Sequence, residues 1–420
     1  MKYLFLVESY RILLFFVSQS RYICYWNATL GLYNLGVSIT IASPAVCTVS
    51  AELSDGTPVR LVTDGALPTG LTVGAIYYVV NSTGTTFNLA ATAGGTPINT
   101  SGSQSGTHQI LSSGELLSSY AGASDVPTKQ NFLLVSDNRF VFAMGTTVEA
   151  SATFDPLLIR WSDQEDPFVW SPAATNQAGS LRLSRGSEII TGIQSRQEVL
   201  VWTDSALYSL QYLGAPDVWG SQIMGDNISI VSQNAVAFAN GVSYWMGKDK
   251  FYAYDGRVQT LNCDLRRYIY EDINLSQFDQ IFSGTNEGFN EIWWFYCSAD
   301  STTIDRYVIF NYMEPNPQGG QGVWYYGSLA RTAWLDSGVR DYPIAATYVN
   351  NLVNHEQGLD DNVTGTALPI TASITSAQFD LDDGHNFMFI WRVLPDMTFA
   401  NSTAASPAAT MYLLRPPRLS

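Results

Sequence analysis

The sequence predicts an all-β chain: a β-propeller core, a small β module inserted near the N-terminus and a partial β-sandwich at the C-terminus. Three observations lead there. Alternating apolar strands meet at short polar turns in NFLLVSDNRFVFAMG, EVLVWTDSALYSLQYLG and GVSYWMGKDKFYAYDG, and again in EIWWFYCSADSTTIDRYVIFNY and YPIAATYVNNLVNHEQG. Their turns, at Asp137-Asn138, Asp204-Ser205, Lys248-Asp249, around Asp300 and at Asn350-Asn351, are about 67, 44, 51 and 50 residues apart, close to the roughly 40–50 residues of a four-stranded propeller blade. Helical periodicity is rare; the clearest case is DLRRYIYEDI, where Asp264 can cap the first turn and Leu265, Tyr268, Ile269 and Ile273 share one face.

In chain order, residues 1–36 are hard to assign. MKYLFLVESYRILLFFVSQSRYI begins like a signal peptide, but Glu8 and Arg11 interrupt the apolar run. A membrane span needs about 20 apolar residues, so a buried strand or helix is the expectation. The aromatic text after Tyr22 reads as strands closing against a later part of the chain. Residues 37–111 turn to Thr, Gly, Ser and Ala with almost no charge; short alternating segments such as VRLVTDG, AIYYVVNST and TTFNLAAT, separated by Gly, Pro and Asn, predict the inserted all-β module. Residues 112–358, entered through a Ser-rich boundary loop, form the propeller core. Residues 359–420 alternate again in ITASITSAQFDL and FMFIWRVL, the basis for the partial sandwich.

Within the core, Asp155 to Gly220 is the organising stretch. Arg160, Trp161 and Trp170 are read as an irregular Trp-rich loop laid over a sheet. The hairpin that follows carries Val199, Val201, Leu207, Ser209 and Gln211 on one parity, and Leu200, Trp202, Tyr208, Leu210 and Tyr212 on the other. Both sets are largely apolar, so both faces are covered.

The totals narrow the function. Of 420 residues 46% are hydrophobic and 13% aromatic but only 14% charged, too few ionic groups to cover a free monomer, which points to a homo-oligomer. The net charge of -16, with 21 Lys and Arg, leaves no basic stripe for gripping phosphates. Cys24, Cys47, Cys263 and Cys297 are far apart with no C-x-x-C pair, so reduced, mostly buried thiols are expected.

RWSDQEDPFVW, SLRLSRGSEII, VLVWTDSALYSLQYLGAPDVWG and NAVAFANGVSYWMGKDKFYAYDG resemble, in order and spacing, blocks of the tail nozzle proteins of short-tailed bacteriophages, also described as tail tubular protein B-like or packaged-DNA-stabilisation-like. The resemblance spans roughly Asp125 to Phe399. It implies a structural virion protein of the tail: a nozzle subunit assembled in the host cytoplasm into a hexameric ring, below a tail adaptor and beside fibre or tip proteins. DNA would be retained in the channel and then conducted at ejection without sequence-specific binding, with no membrane in the free particle. The alternative is a receptor- or carbohydrate-binding fibre or adhesin propeller.

Chemistry is weakly signalled. Asp163, Glu165 and Asp166 beside Trp161 and Trp170 superficially suit a glycosidase carboxylate pair, but nothing apolar sheathes them. Asp380, Asp382 and Asp383, with Gly384 and His385, form the best metal candidate, yet lack the spacing of a calcium loop. His108, His355 and His385 lie in different regions, and nucleotide, hydrolase and zincin motifs are missing. The expectation is therefore no enzyme, no cofactor and no resident metal. The aromatics Trp293 to Tyr296 with Trp324, Tyr325 and Tyr326 read as packed core. Arg160, Trp161, Asp163, Trp170, Pro216 and Trp219 are the expected inter-subunit contacts.

Overall fold

The computed structural model describes residues 4–8, 11–17, 23–27, 34–112, 115–120, 122–316, 321–338, 340–358, 360–370, 373–374, 389–400, 402 and 406–412. The chain is all-β, and every strand pair between named strands is antiparallel. It divides into two units. One holds nearly everything up to Gly358, together with Asn362–Ala367; the other holds Leu359–Asp361 and the residues from Leu368 on.

The larger unit contains a succession of sheets. The first joins Leu4–Glu8, Arg11–Val17 and Ile23–Asn27 to the two-residue strand Glu115–Leu116. Between its third and fourth strands the chain makes a closed six-stranded barrel from Asn34–Ile39, Cys47–Val49, Pro58–Thr63, Ile76–Val80, Thr86–Ala90 and His108–Ser112. The barrel occupies the Thr- and Gly-rich stretch and is filled by Val59, Leu61, Val79, Phe87 and Ile110, all buried.

Four complete four-stranded sheets follow, each a meander in chain order. The second sheet is Gln130–Val135, Val141–Thr147, Phe154–Trp161 and Gly179–Arg182. Its successor, the third, is Ile189–Gln194, Glu198–Thr203, Ala206–Gly214 and Val218–Asp226. Val236–Ala239, Val242–Met246, Phe251–Tyr254 and Val258–Leu261 make the fourth, and Phe282–Asn286, Glu291–Tyr296, Arg306–Pro315 and Gln321–Ser328 the fifth. The sixth has three short strands, Ala333–Leu335, Ile344–Ala346 and Leu352–Asn354.

The sheets stack through both faces, which explains why their strands carry apolar residues at successive positions instead of alternating with polar ones. In the third sheet Val199 and Val201 oppose Leu210 and Tyr208, and this face packs with Phe132, Phe142 and Trp161 of the second. Leu200, Trp202 and Leu207 form the other face and pack with Trp245 and Phe251 of the fourth. The fifth sheet offers Trp294, Phe310 and Trp324 to the fourth, and Trp293, Phe295 and Ile309 toward Trp334 of the sixth. Trp334 lies so close to Gly284 that a Cβ there would collide with its indole ring, so this seam requires glycine. The first strand of each sheet from the second to the fifth lies beside the first strand of the next.

Several expectations change. Sorting the hairpin by parity mixes its faces: across the Asp204-Ser205 turn Trp202 opposes Leu207 and Val201 opposes Tyr208, so each face carries odd residues from one strand and even from the other. The turn at Asp137-Asn138 joins first and second strands, whereas the other four turns join second and third. The equivalent joint in the second sheet is Val148–Thr153. With position 150 in place of 137 the first spacing becomes 54 while the others are unchanged, and the outlying interval disappears. Arg160 and Trp161 end a strand and are not loop residues.

The helix runs over Arg266–Asp272, with Leu265 at its N-cap and no side-chain cap, so Asp264 does not cap it. Ile269 and Ile273 are buried, while Tyr268 is exposed and packs on Tyr326 with ring centroids 4.7 Å apart. Tyr270 instead turns inward and donates to the Gly247 carbonyl at 3.0 Å. The smaller unit, among its described residues, contains one strand pair, Asp360–Asp361 with Leu368–Pro369. Phe389 to Leu394 forms no strand despite its alternation, because alternation yields a strand only where a partner supplies the ladder hydrogen bonds. Most of ITASITSAQFDL lies outside the described residues.

Candidate functional site

The Trp-rich stretch is held together by one buried charge. Arg160, on the third strand of the second sheet, is 1% exposed. Its Nη2 donates to Asp125 Oδ2 at 2.6 Å, to the Asp125 carbonyl at 2.8 Å and to the Trp170 carbonyl at 3.2 Å, and its Nη1 to the Thr147 carbonyl at 3.4 Å. Burial pulls the guanidinium below its ordinary pKa, and Asp125 and Glu149 oppose that pull. Arginine starts so high that the group stays charged. A buried cation needs such partners, so Arg160 ties the boundary loop and the covering loop to the sheet.

The rest of the covering loop spends its polar groups internally. Trp170 is buried, and its Nε1 donates to the Pro167 carbonyl at 2.8 Å. Asp163 Oδ1 accepts from the backbone N–H groups of Gln164 and Gln177, both at 2.8 Å, and Asp166 Oδ1 from that of Phe168 at 3.0 Å. Glu165 pairs with Arg139 at 2.6 Å on the surface. Asp163 and Asp166 thus order backbone turns, whereas Glu165 is tied to Arg139. Trp161 donates from Nε1 to the Gln177 carbonyl at 2.8 Å, and its ring lies against Gly179, where a Cβ would stand 2.7 Å from Cζ2. Trp219 makes edge contacts with Phe140 and Phe142, at centroid distances of 5.6 and 5.0 Å.

Of the six residues expected to face a neighbouring subunit, then, Arg160, Trp161, Trp170 and Trp219 point into their own chain. The reason is physical: large apolar rings and an arginine with carbonyl partners gain most where water is excluded. Asp163 is half-buried and Pro216 exposed. The large apolar side chains exposed on the third sheet are Tyr212, Leu213 and Ile223.

Asp380, Asp382, Asp383 and His385 lie outside the described residues. Among the described residues no cluster of three or more His, Cys, Asp or Glu side chains suits a metal, and no helix is long and apolar enough to cross a membrane. Cys47, Cys263 and Cys297 are free thiols, and burial raises the pKa of all three, Cys47 and Cys263 to about 12. Cys24 lies on the third strand of the first sheet.

Two features have no counterpart in the sequence reading. A cleft of about 640 Å³ opens where the first strands of the third and fourth sheets begin, with Glu188, Asp204 and Asp279 against one cation, Lys248, and with Leu275 and Phe278 on its wall. Ser187 donates to the Asp204 carboxylate from both N and Oγ at 2.7 Å. Elsewhere Asn286, 2% exposed, donates through Nδ2 to Glu291 and to Glu356, each at 3.3 Å. Trp293 Nε1 also donates to Glu291, at 2.9 Å. Burial raises the Glu291 carboxyl above its ordinary pKa, and the charges of Glu356 and Glu314 add to the rise. These carboxylates are some 65 residues apart in sequence, so no spacing signals their approach.

No protein-family model and no curated protein matches the sequence. Among solved structures the chain is similar to a functionally unknown protein from Desulfotomaculum acetoxidans, at 8% identity and a TM-score of 0.31 over 84% of this chain and 95% of that one. It is also similar to the endosialidase of phage phi92, at 12% identity and 0.27 over 90% and 65%. A third likeness is to PorZ, a surface component of the type-IX secretion system of Porphyromonas gingivalis, at 11% identity and 0.31 over 87% and 50%.

Proposed function

We propose that this chain is a structural subunit of a phage tail nozzle, in which its sheets are set radially as a β-propeller and six copies surround a channel for DNA. The observation that carries the reading is the match between the resembling blocks and consecutive parts of the fold. RWSDQEDPFVW closes the third strand of the second sheet and begins its covering loop. SLRLSRGSEII is that sheet's last strand running into the next sheet, and the remaining two blocks are hairpins of the third and fourth sheets. The side-by-side succession of first strands supports the radial arrangement, since a propeller places its first strands around the axis.

Charge fits a conduit. With a net charge of -16, a channel wall made of this chain repels phosphate, so DNA passes without adhering. Adaptor and fibre or tip proteins would meet the two ends of the ring. The buried thiols suit assembly in a reducing cytoplasm before incorporation into the virion.

Negative-stain imaging of the purified full chain, with antibody labelling of the particle that contains it, tests the reading. A six-fold ring and label on the tail axis are expected. Isolated 46.2 kDa particles, with label away from the tail, would overturn it.

A further inference from the structure

We propose that Phe389 to Leu394 of one copy is the strand that completes the sixth sheet of a neighbouring copy. The inference rests on the ring reading above and names a contact that would close the ring. Among the described residues the sixth sheet has three strands, one fewer than each of the five sheets before it. In the fourth sheet the third strand, Phe251–Tyr254, is buried throughout, and in the fifth the central residues Val308 to Phe310 are buried. The third strand of the sixth sheet, Leu352–Asn354, is exposed at both ends, with Leu352 at 77%. An open strand edge with an exposed leucine is a template for an added strand.

The C-terminal segment has the matching character. Phe389, Trp391 and Val393 would fall on one face of an extended chain, and Ile390, Arg392 and Leu394 on the other. Aromatic and β-branched residues favour that conformation, and Pro395 ends the ladder. Phe389 is 86% exposed, Trp391 80% and Leu394 73%. Arg392 is the segment's one charge, and the exposed Glu356 stands just beyond the open strand. A copy that donates one strand and accepts another makes a head-to-tail contact, the kind that closes into a ring. Pairing within a copy would contribute nothing to closure.

The test uses the full chain carrying Leu352→Cys with either Trp391→Cys or Asp396→Cys, treated with a short bismaleimide and run on a denaturing gel beside the parent chain. A ladder of covalent multimers absent from the parent is expected for at least one pair, and adding Arg392→Pro, which removes a ladder N–H, should weaken it at least tenfold. Crosslinking confined to single chains, or none with either pair, overturns the inference. If a six-fold ring is still imaged in that case, the ring reading survives; if the ring is missing as well, both fall.

Discussion

The seams joining the third, fourth and fifth sheets and the seam between the second sheet and its covering loop solve the same problem with opposite chemistry. In the first, a tryptophan sits on the second strand of three successive sheets: Trp202, Trp245 and Trp294, all fully buried. Trp202 and Trp245 meet edge to face at 5.2 Å, a favourable arrangement of ring quadrupoles. In the second, the buried anchor is Arg160, which holds Asp125 and two further backbone carbonyls. The aromatic seams gain from burial itself. The polar seam gains little from burial and much from direction, and direction is what positions an irregular loop whose backbone has no ladder to join.

Four substitutions would break or sharpen that contrast. Trp294→Ala should cost the most, about 3–5 kcal/mol by chemical denaturation, because it empties a large volume between two sheets and removes the Nε1 donor to the Ala235 carbonyl, 2.9 Å away. Arg160→Met should cost about 3 kcal/mol by removing the cation paired with Asp125, which keeps only the Ala150 N–H, and the donor to the neighbouring carbonyls. Adding Asp125→Asn should return part of that loss if the ion pair matters more than the carbonyl contacts. Trp202→Phe is expected to stay below about 1.5 kcal/mol, since the Trp202 Nε1 has no hydrogen-bond partner to lose.

Glu291→Gln should have the smallest effect at neutral pH, a gain below about 1 kcal/mol. Because the folded chain raises the Glu291 pKa, it holds that proton more tightly than the unfolded chain does. The resulting stabilisation is complete below the ordinary carboxylate range and is lost as pH rises through the folded-state value. Denaturation midpoints of Glu291→Gln and the parent, measured from pH 4 to 8, should therefore converge toward the acid end. A gap of constant size would assign the effect to packing.

Strand type, the hairpin turns and the low-charge module were legible because each rests on local pattern: alternation around Asp204-Ser205, turn residues between short strands, and one run of helical spacing near Ile269. The mistakes have local causes too. Asp137-Asn138 looks like the other turns because any two-strand hairpin does, and only pairing shows which strands of a sheet it joins. Asp264 has the chemistry of a cap, but the helix begins two residues later. At the candidate site the sequence singled out residues that matter to the loop, but it placed Arg160, Trp161, Trp170 and Trp219 on the outside, where the structure buries them. Nothing local says whether a tryptophan covers its own sheet or awaits a neighbour's.

By itself the sequence determined that this chain is β-structured, acidic, aromatic-rich and organised in repeated hairpins, since composition and periodicity are properties of short stretches. The tertiary structure alone decided that Glu115–Leu116 returns after a whole barrel to finish the first sheet, that Arg160 reaches Asp125, and that Glu291 and Glu356 share Asn286. Each of these joins residues far apart in sequence, and such contacts depend on how sheets stack, a condition no window of neighbouring residues contains.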